Sequence, residues 1–208
     1  MRLQPLPLTG CLTVLLLSSG CGDLLWTHMN RPERDEWQQP KRVIQALNIE
    51  PGARVADLGA GGGYFTFHLA EAVGPEGRVY AVDVSESSLA FIDRELKARA
   101  ISGVELVLAR PDDPQLPPAG LDLIFTCNTY HHLSNRVAYL KRLTRYLRPE
   151  GRLAVIDFDR RSWLAKLLGH STSKETLMKE VEAAGYVLVA EFDFLAEQHF
   201  EVFKVHSR

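Results

Sequence analysis

From residue 40 onward, short apolar runs alternate with stretches in which apolar residues recur every three or four positions. That is the rhythm of strands separated by amphipathic helices. Residues 32–37 and 40–47 read as two helical pieces, because Pro32 and Pro40 suit a first helical turn and not an interior; Val43, Ile44 and Leu47 give the second an apolar face. Pro51-Gly52 turns into a strand at 54–58, which stops at Gly59-Ala60-Gly61-Gly62-Gly63 before a helix over 64–73. A second strand covers 78–83, Ser85 starts a helix with Leu89, Ile92 and Leu96 on one face, and 104–109 is a third strand. A loop with Pro111, Pro114, Pro117 and Pro118 leads to a fourth at 121–126. Ser134 or Asn135 caps the next helix, in which Val137, Leu140, Leu143 and Leu147 keep helical spacing, and Pro149-Glu150-Gly151 turns the chain into a fifth strand at 152–158. Thr172 and Glu175 form a capping-box pattern for a helix with Leu177, Val181 and Ala184 inward and Gly185 as its stop. Runs 186–194 and 199–206 are joined by residues 195–198, too few for a parallel crossover, so they form a hairpin. The expectation is an α/β fold: a mostly parallel sheet, helices on both faces, and an antiparallel strand at the C-terminal end.

The first thirty residues do not share this rhythm. Residues 1–20 carry a single charge, Arg2, then the apolar positions Leu12, Val14, Leu15, Leu16 and Leu17, then small residues up to Cys21. This predicts a secretory signal over 1–20, since the apolar core from Cys11 to Leu17 is far shorter than the roughly 20 residues of a membrane-spanning helix. Leu17-Ser18-Ser19-Gly20-Cys21 resembles the lipobox of bacterial lipoproteins, with Ser18 where that family prefers Leu, Val or Ile. Leu8-Thr9-Gly10-Cys11 fits the box better, yet cleavage there would leave the apolar run in the mature chain. The expectation is therefore acylation at Cys21, a linker over 21–30, a domain over 31–208, and an exported, periplasmic, membrane-anchored protein. The alternative is a cytoplasmic protein whose synthesis starts at Met29.

Composition narrows the picture. The chain has 208 residues, 46% of them hydrophobic, and 24 Lys and Arg against 26 Asp and Glu. That suits one globular domain, and a net charge of -2 implies no field for nucleic-acid phosphates. Cys11, Cys21 and Cys127 are too scattered for a disulfide framework or a zinc site.

A glycine turn from a first strand into a helix lets a ligand approach the backbone, and the helix N-terminus offers free N–H groups. A dinucleotide fingerprint would need glycine where Tyr64 stands. Asp57, two residues before the first glycine, would repel a pyrophosphate and favour a ligand bearing an ammonium and a sulfonium. Asp83 closes the second strand, where a carboxylate can accept two hydrogen bonds from a ribose diol.

With Asp57-Leu58-Gly59-Ala60-Gly61-Gly62-Gly63, Asp83 and this order of elements, residues 31–208 resemble the class I S-adenosylmethionine-dependent methyltransferases, seven-stranded Rossmann-like enzymes. The resemblance implies S-adenosylmethionine as cofactor and a small-molecule methyl acceptor. It implies cofactor contacts at Asp57, Gly59, Ala60, Gly61, Gly63, Asp83, Val84, Asp112 or Asp113 (at the adenine amino group) and Asn128 (where the active-site loop begins). Leu147-Arg148-Pro149-Glu150-Gly151 looks like the family's "LxPGG" turn, with Glu150 replacing a glycine.

Methyl transfer from a sulfonium is an in-line displacement helped mainly by proximity, orientation and exclusion of water, and it needs a base only when the acceptor must lose a proton. His131, directly after strand four, is the candidate base or acceptor-positioning group; Trp37, Tyr64 and Tyr130 are candidates on the acceptor side. Arg31, Arg34 and Asp35 accompany Trp37 where class I enzymes often carry a lid, and Trp163 with residues 164–170 is a candidate cover for the acceptor. Cys127 reads as a small buried residue, and adjacent His131 and His132 diverge too much to share a metal. The rival function is an exported, non-catalytic binding or scaffold protein on a methyltransferase fold.

Overall fold

The protein, as a computed structural model, is described over residues 18–159 and 171–206. The apolar core of the expected signal and the cover segment at Trp163 and 164–170 lie outside the described residues.

Arg54–Leu58 (β1), Arg78–Asp83 (β2), Val104–Leu108 (β3), Leu121–Cys127 (β4) and Leu147–Phe158 (β5) pair in parallel. Tyr186–Phe192 (β6) and Gln198–Val205 (β7) form the hairpin, with β7 antiparallel to both β5 and β6. The sheet order is β3-β2-β1-β4-β5-β7-β6. Seven strands and an antiparallel C-terminal strand match the sequence expectation; the last strand lies inside the sheet and β6 takes the edge. From β1 the chain winds to β2 and β3 on one side, then crosses to β4 and β5 on the other. A crevice therefore opens between the carboxyl ends of β1 and β4, where open α/β sheets bind ligands.

Helices cover both faces because the strands are apolar on both. Pro40–Leu47 (α3), Tyr64–Val73 (α4) and Glu86–Ala98 (α5) lie on one face: Val43, Leu47, Phe65 and Leu69 pack on Val55, Val79, Phe125 and Ile156, and Leu89 and Ile92 join Phe67 and Ala81. Arg136–Leu143 (α6) and Lys174–Ala183 (α7) cover the other, with Tyr139, Leu140, Leu177 and Val181 against Ala56, Ile124, Val155 and Phe203. Two further helices precede the domain, Ser18–Met29 (α1) and Arg34–Gln38 (α2).

Several local expectations shift. Residues 21–30, read as a linker, lie in α1 and its C-terminal turn. Leu147 pairs with Leu121 as the first residue of β5 instead of ending α6, and Arg152 pairs with Leu123, so residues 148–151 bulge from the ladder. Gly151 permits this, because a Cβ there would stand 2.7 Å from the Leu121 carbonyl oxygen. The cap of α7 is Ser173, whose hydroxyl accepts from the Thr176 N–H, while Thr172 is buried beneath β7.

The buried polar side chains of β5 and β7 sit together: Asp157 faces His199 across the ladder, with Glu201 two residues along. His199 places Nδ1 2.7 Å from a Glu201 carboxylate oxygen and Nε2 3.0 Å from the Thr172 carbonyl oxygen. Two acceptors require two donors, so the ring is an imidazolium. Burial pulls its pKa down, but the Glu201 hydrogen bond and charge outweigh it and hold it above the ordinary value. A histidine whose folded pKa exceeds its unfolded value adds stability that is complete below the unfolded value and lost as pH rises through the folded one. The melting temperature of the wild type is thus expected to fall as pH climbs above about 6.5. Glu201→Gln should flatten that limb of the profile; equal slopes in the two proteins would remove the assignment.

Candidate active site

The strands β1 and β2 meet the crevice through backbone turns. After β1 the chain folds back on β2, with the Gly59 and Ala60 N–H groups both donating to the Val82 carbonyl oxygen at 2.8 and 3.0 Å. The loop is closed by Asp83: its Oδ2 accepts the Gly61 N–H at 2.8 Å and its Oδ1 the Ser85 N–H at 2.9 Å. One carboxylate thereby fixes both the loop and the entry to α5. Gly59 has φ +78°, and a Cβ there would come within 2.3 Å of the Thr129 side chain. Only glycine lets the loops after β1 and β4 touch. Gly63 also has φ +78° and sits with no room beside Phe67 and Ile92, so its place is structural and it does not line the crevice.

The crevice holds a cavity of about 500 Å³, within the size range of small-ligand sites. Asp57, Gly59, Ala60, Gly61, Asp83, Val84 and Asn128 line it, as does Tyr64. Asp57 is buried and accepts a 2.6 Å hydrogen bond from the Thr66 hydroxyl. Burial pushes its pKa up to about 6, with Thr66 and Arg34 pulling the other way. Burial likewise pushes the Cys127 thiol up to about 12, despite Arg34, which leaves it a poor nucleophile.

The N-terminal helices supply what the sequence pattern did not announce. Trp26 of α1 lies against the loop, its ring 3.4 Å from where a Cβ on Gly61 would be, and Asn30 donates to the Gly62 carbonyl oxygen. The Trp26 Nε1 and Asn30 Oδ1 atoms are buried with no hydrogen-bond partner among the described residues. Leu25, Trp26 and Met29 line the cavity. Arg34 of α2 also lines it, its guanidinium 3.9 Å above the Tyr64 ring, whose hydroxyl donates to Asp35. A relay holds α2 in place, with Gln38 donating to Gln198 at 2.8 Å and Gln198 to the Asn128 side chain at 2.5 Å.

Other expected residues stand elsewhere. Asp112 pairs with Arg142, and Asp113 is held by Arg145 and Tyr146; Arg110 and Pro111 line the cavity in their stead. Trp37 stacks on Phe158 at 5.9 Å with 44% of its surface exposed, outside the cavity lining. Tyr130 is buried in the core and donates to Glu180. His131, expected as the base, is buried outside the cavity lining with Nδ1 2.7 Å from Asp157 Oδ1, and its neighbour His132 lines the cavity instead. Among the described residues, no group of three or more His, Cys, Asp or Glu side chains is placed to hold a metal ion.

The arrangement can take a flat, ribose-bearing ligand with one cationic and one anionic end. Asp83, Asp57 and Arg34 all line the cavity, so it offers charges of both signs.

A family model described as "Methyltransferase domain" matches residues 49–200. The demethylmenaquinone methyltransferase of Geobacillus stearothermophilus is 31% identical over 111 residues, 53% of this chain and 47% of that protein. The nocamycin O-methyltransferase of Saccharothrix syringae is 29% identical over 115 residues, 55% of this chain and 41% of that one. The chain spans about half the length of the curated relatives it matches. Among solved structures, a SAM dependent methyltransferase from Aquifex aeolicus shares the fold with a TM-score of 0.79 at 23% identity, over 88% of this chain and 98% of that one.

Proposed function

The chain belongs to the methyltransferase domain family, and we propose that it carries a methyl group from S-adenosylmethionine to a small-molecule acceptor. The observation that supports this best is the cavity wall itself: a glycine loop pinned by Asp83, with a buried Asp57 and Arg34 in the same lining. Those residues fit the cofactor's charges. Asp83 would take the ribose hydroxyls, Asp57 the ammonium and Arg34 the carboxylate, while Trp26 covers the loop and excludes water. When bound, the cofactor supplies an electrophilic methyl group for in-line displacement. The protein's own part is to orient the acceptor, keep the cavity dry and accept a proton where the acceptor has one to lose. For that last role we infer His132, which lines the cavity with its ring centroid 4.1 Å from that of His131, the ring held by the Asp157 carboxylate. Relatives that methylate demethylmenaquinone and nocamycin, by their names, support a small-molecule acceptor.

We also infer export with acylation at Cys21, on the strength of the lipobox-like sequence. Cleavage there keeps Leu25, Trp26 and Met29, whereas a start at Met29 removes the first two from the cavity wall.

Three measurements test these readings. Calorimetric titration with S-adenosylhomocysteine should give micromolar binding, weakened at least tenfold by Asp83→Ala. Arg34→Ala should weaken it too, yet leave 5′-methylthioadenosine, which has no carboxylate, unaffected. Affinity for S-adenosylhomocysteine should rise with pH through about 6 as Asp57 ionises, and Asp57→Asn should abolish the rise. No binding to the wild type would sink the cofactor assignment. Turnover with hydroxyl acceptors should drop by about 10²–10⁴ in His132→Gln at unchanged S-adenosylhomocysteine affinity; undiminished turnover would exclude His132 as the base. The intact mass of the native protein should correspond to an acylated chain beginning at Cys21, and a chain beginning at Met29 would refute export.

A further inference from the structure

Helix α1 has two working sides. Its inner stripe, Trp26 and Asn30, is spaced four residues apart and rests on the glycine loop. The ion pair between Asp23 and Arg94 at 2.5 Å ties the start of this segment to α5. The open side carries Leu24, Leu25 and Met29 beside the polar Thr27 and His28. Leu24 is 71% exposed, Leu25 50% and Met29 42%, and across the cavity mouth Val84 is 61% exposed. Leu25, Met29 and Val84 also line the cavity, so the exposed patch and the mouth are one surface. Apolar side chains clustered at a rim mark an interaction surface, unlike singly scattered ones.

What meets this rim is indicated by the sequence just ahead of it. Cys21 lies three residues, less than one helical turn, before Leu24, and the run Leu12 to Leu17 precedes it. In a chain that keeps that run, or that carries acyl groups on Cys21, a lipid-soluble group is tethered within a few residues of Leu24. Anchoring of this kind needs two signals, and exposed leucines beside the anchor supply the second. No helix of the described residues is long and apolar enough to cross a membrane.

We propose that α1 and the adjoining rim at Val84 dock on a lipid bilayer, with the cavity mouth facing the membrane. Docking itself stands apart from the catalytic reading. Combined with that reading, it names the acceptor class: a molecule that partitions into the bilayer and enters the cavity past Leu25 and Met29 without crossing water.

The test is hydrogen exchange of the full chain, read by mass spectrometry, with and without vesicles of phosphatidylethanolamine and phosphatidylglycerol. Peptides covering 23–30 and the Val84 turn should exchange several-fold more slowly with vesicles. The exposed apolar edge at Val187, Leu188 and Val189 should not change. Leu24→Glu with Thr27→Glu, both exposed and neither in the cavity lining, should lose the protection while binding S-adenosylhomocysteine as the wild type does. Absence of vesicle protection at 23–30, protection confined to residues 1–20, or protection that survives the double substitution would each overturn docking. A native chain that starts at Met29 would overturn it as well. Vesicle protection without S-adenosylhomocysteine binding would leave docking in place and remove the methyltransferase reading.

Discussion

The hydrogen bond from the Gly61 N–H to Asp83 is the constraint from which the site follows. The Gly59 and Ala60 N–H groups already turn the loop leaving β1 back onto the Val82 carbonyl oxygen of β2. Asp83 holds it there, and the same carboxylate takes the Ser85 N–H, so the loop and the first turn of α5 share one anchor. With the loop held on that side, the opposite side is closed by contact: Gly59 meets Thr129 so tightly that any side chain would collide. The crevice between β1 and β4 thus acquires a floor of backbone and walls set by an acid and a threonine. A ligand can approach the main chain there because no Cβ stands between them.

Charge completes the selection. Asp57 is buried next to a cavity that Arg34, stacked on Tyr64, also lines. Removing a carboxylate from water is costly, and the protein offsets this only in part, through Thr66 and the guanidinium, so the acid titrates near 6. A group left in that state favours a cationic partner. The same cavity would disfavour a pyrophosphate, which agrees with the absence of the last glycine of a dinucleotide fingerprint at Tyr64.

The sheet was legible in the sequence because its signals are local: β1, α4 and β2 are bounded by glycine, proline and charged residues at their true ends. Legibility fails where the deciding partner is distant. Leu147 keeps helical spacing with Leu143, yet its backbone is claimed by Leu121 across the sheet. Asp112 and Asp113 sit where the family pattern puts a cofactor contact, but Arg142 and Arg145, thirty-odd residues away, hold them. His131 was singled out by position after β4, while its partner Asp157 emerges only from the pairing of β4 with β5. Trp26 had no readable signal at all. A tryptophan after an apolar leader and before the first periodic segment looks like linker, and nothing short of tertiary contact places it on a glycine loop.

That last case links the architecture to its setting. In the domain proper, each helix buries one face on the sheet and gives the other to water. Helix α1 closes over a loop, against α5, through Trp26, Asn30 and the Asp23 pair. A helix so lightly held is drawn from the low-stability end of a fold, where elements that open and close over ligands are found. Its exposed leucines would add nothing to stability in water. They gain a purpose against an apolar surface, and the sequence ahead of Asp23 holds the apolar residues Leu12, Val14, Leu15, Leu16 and Leu17. The helix that makes the cavity dry is therefore also the helix whose position a bilayer would fix, which couples access to the site to the place where the protein stands.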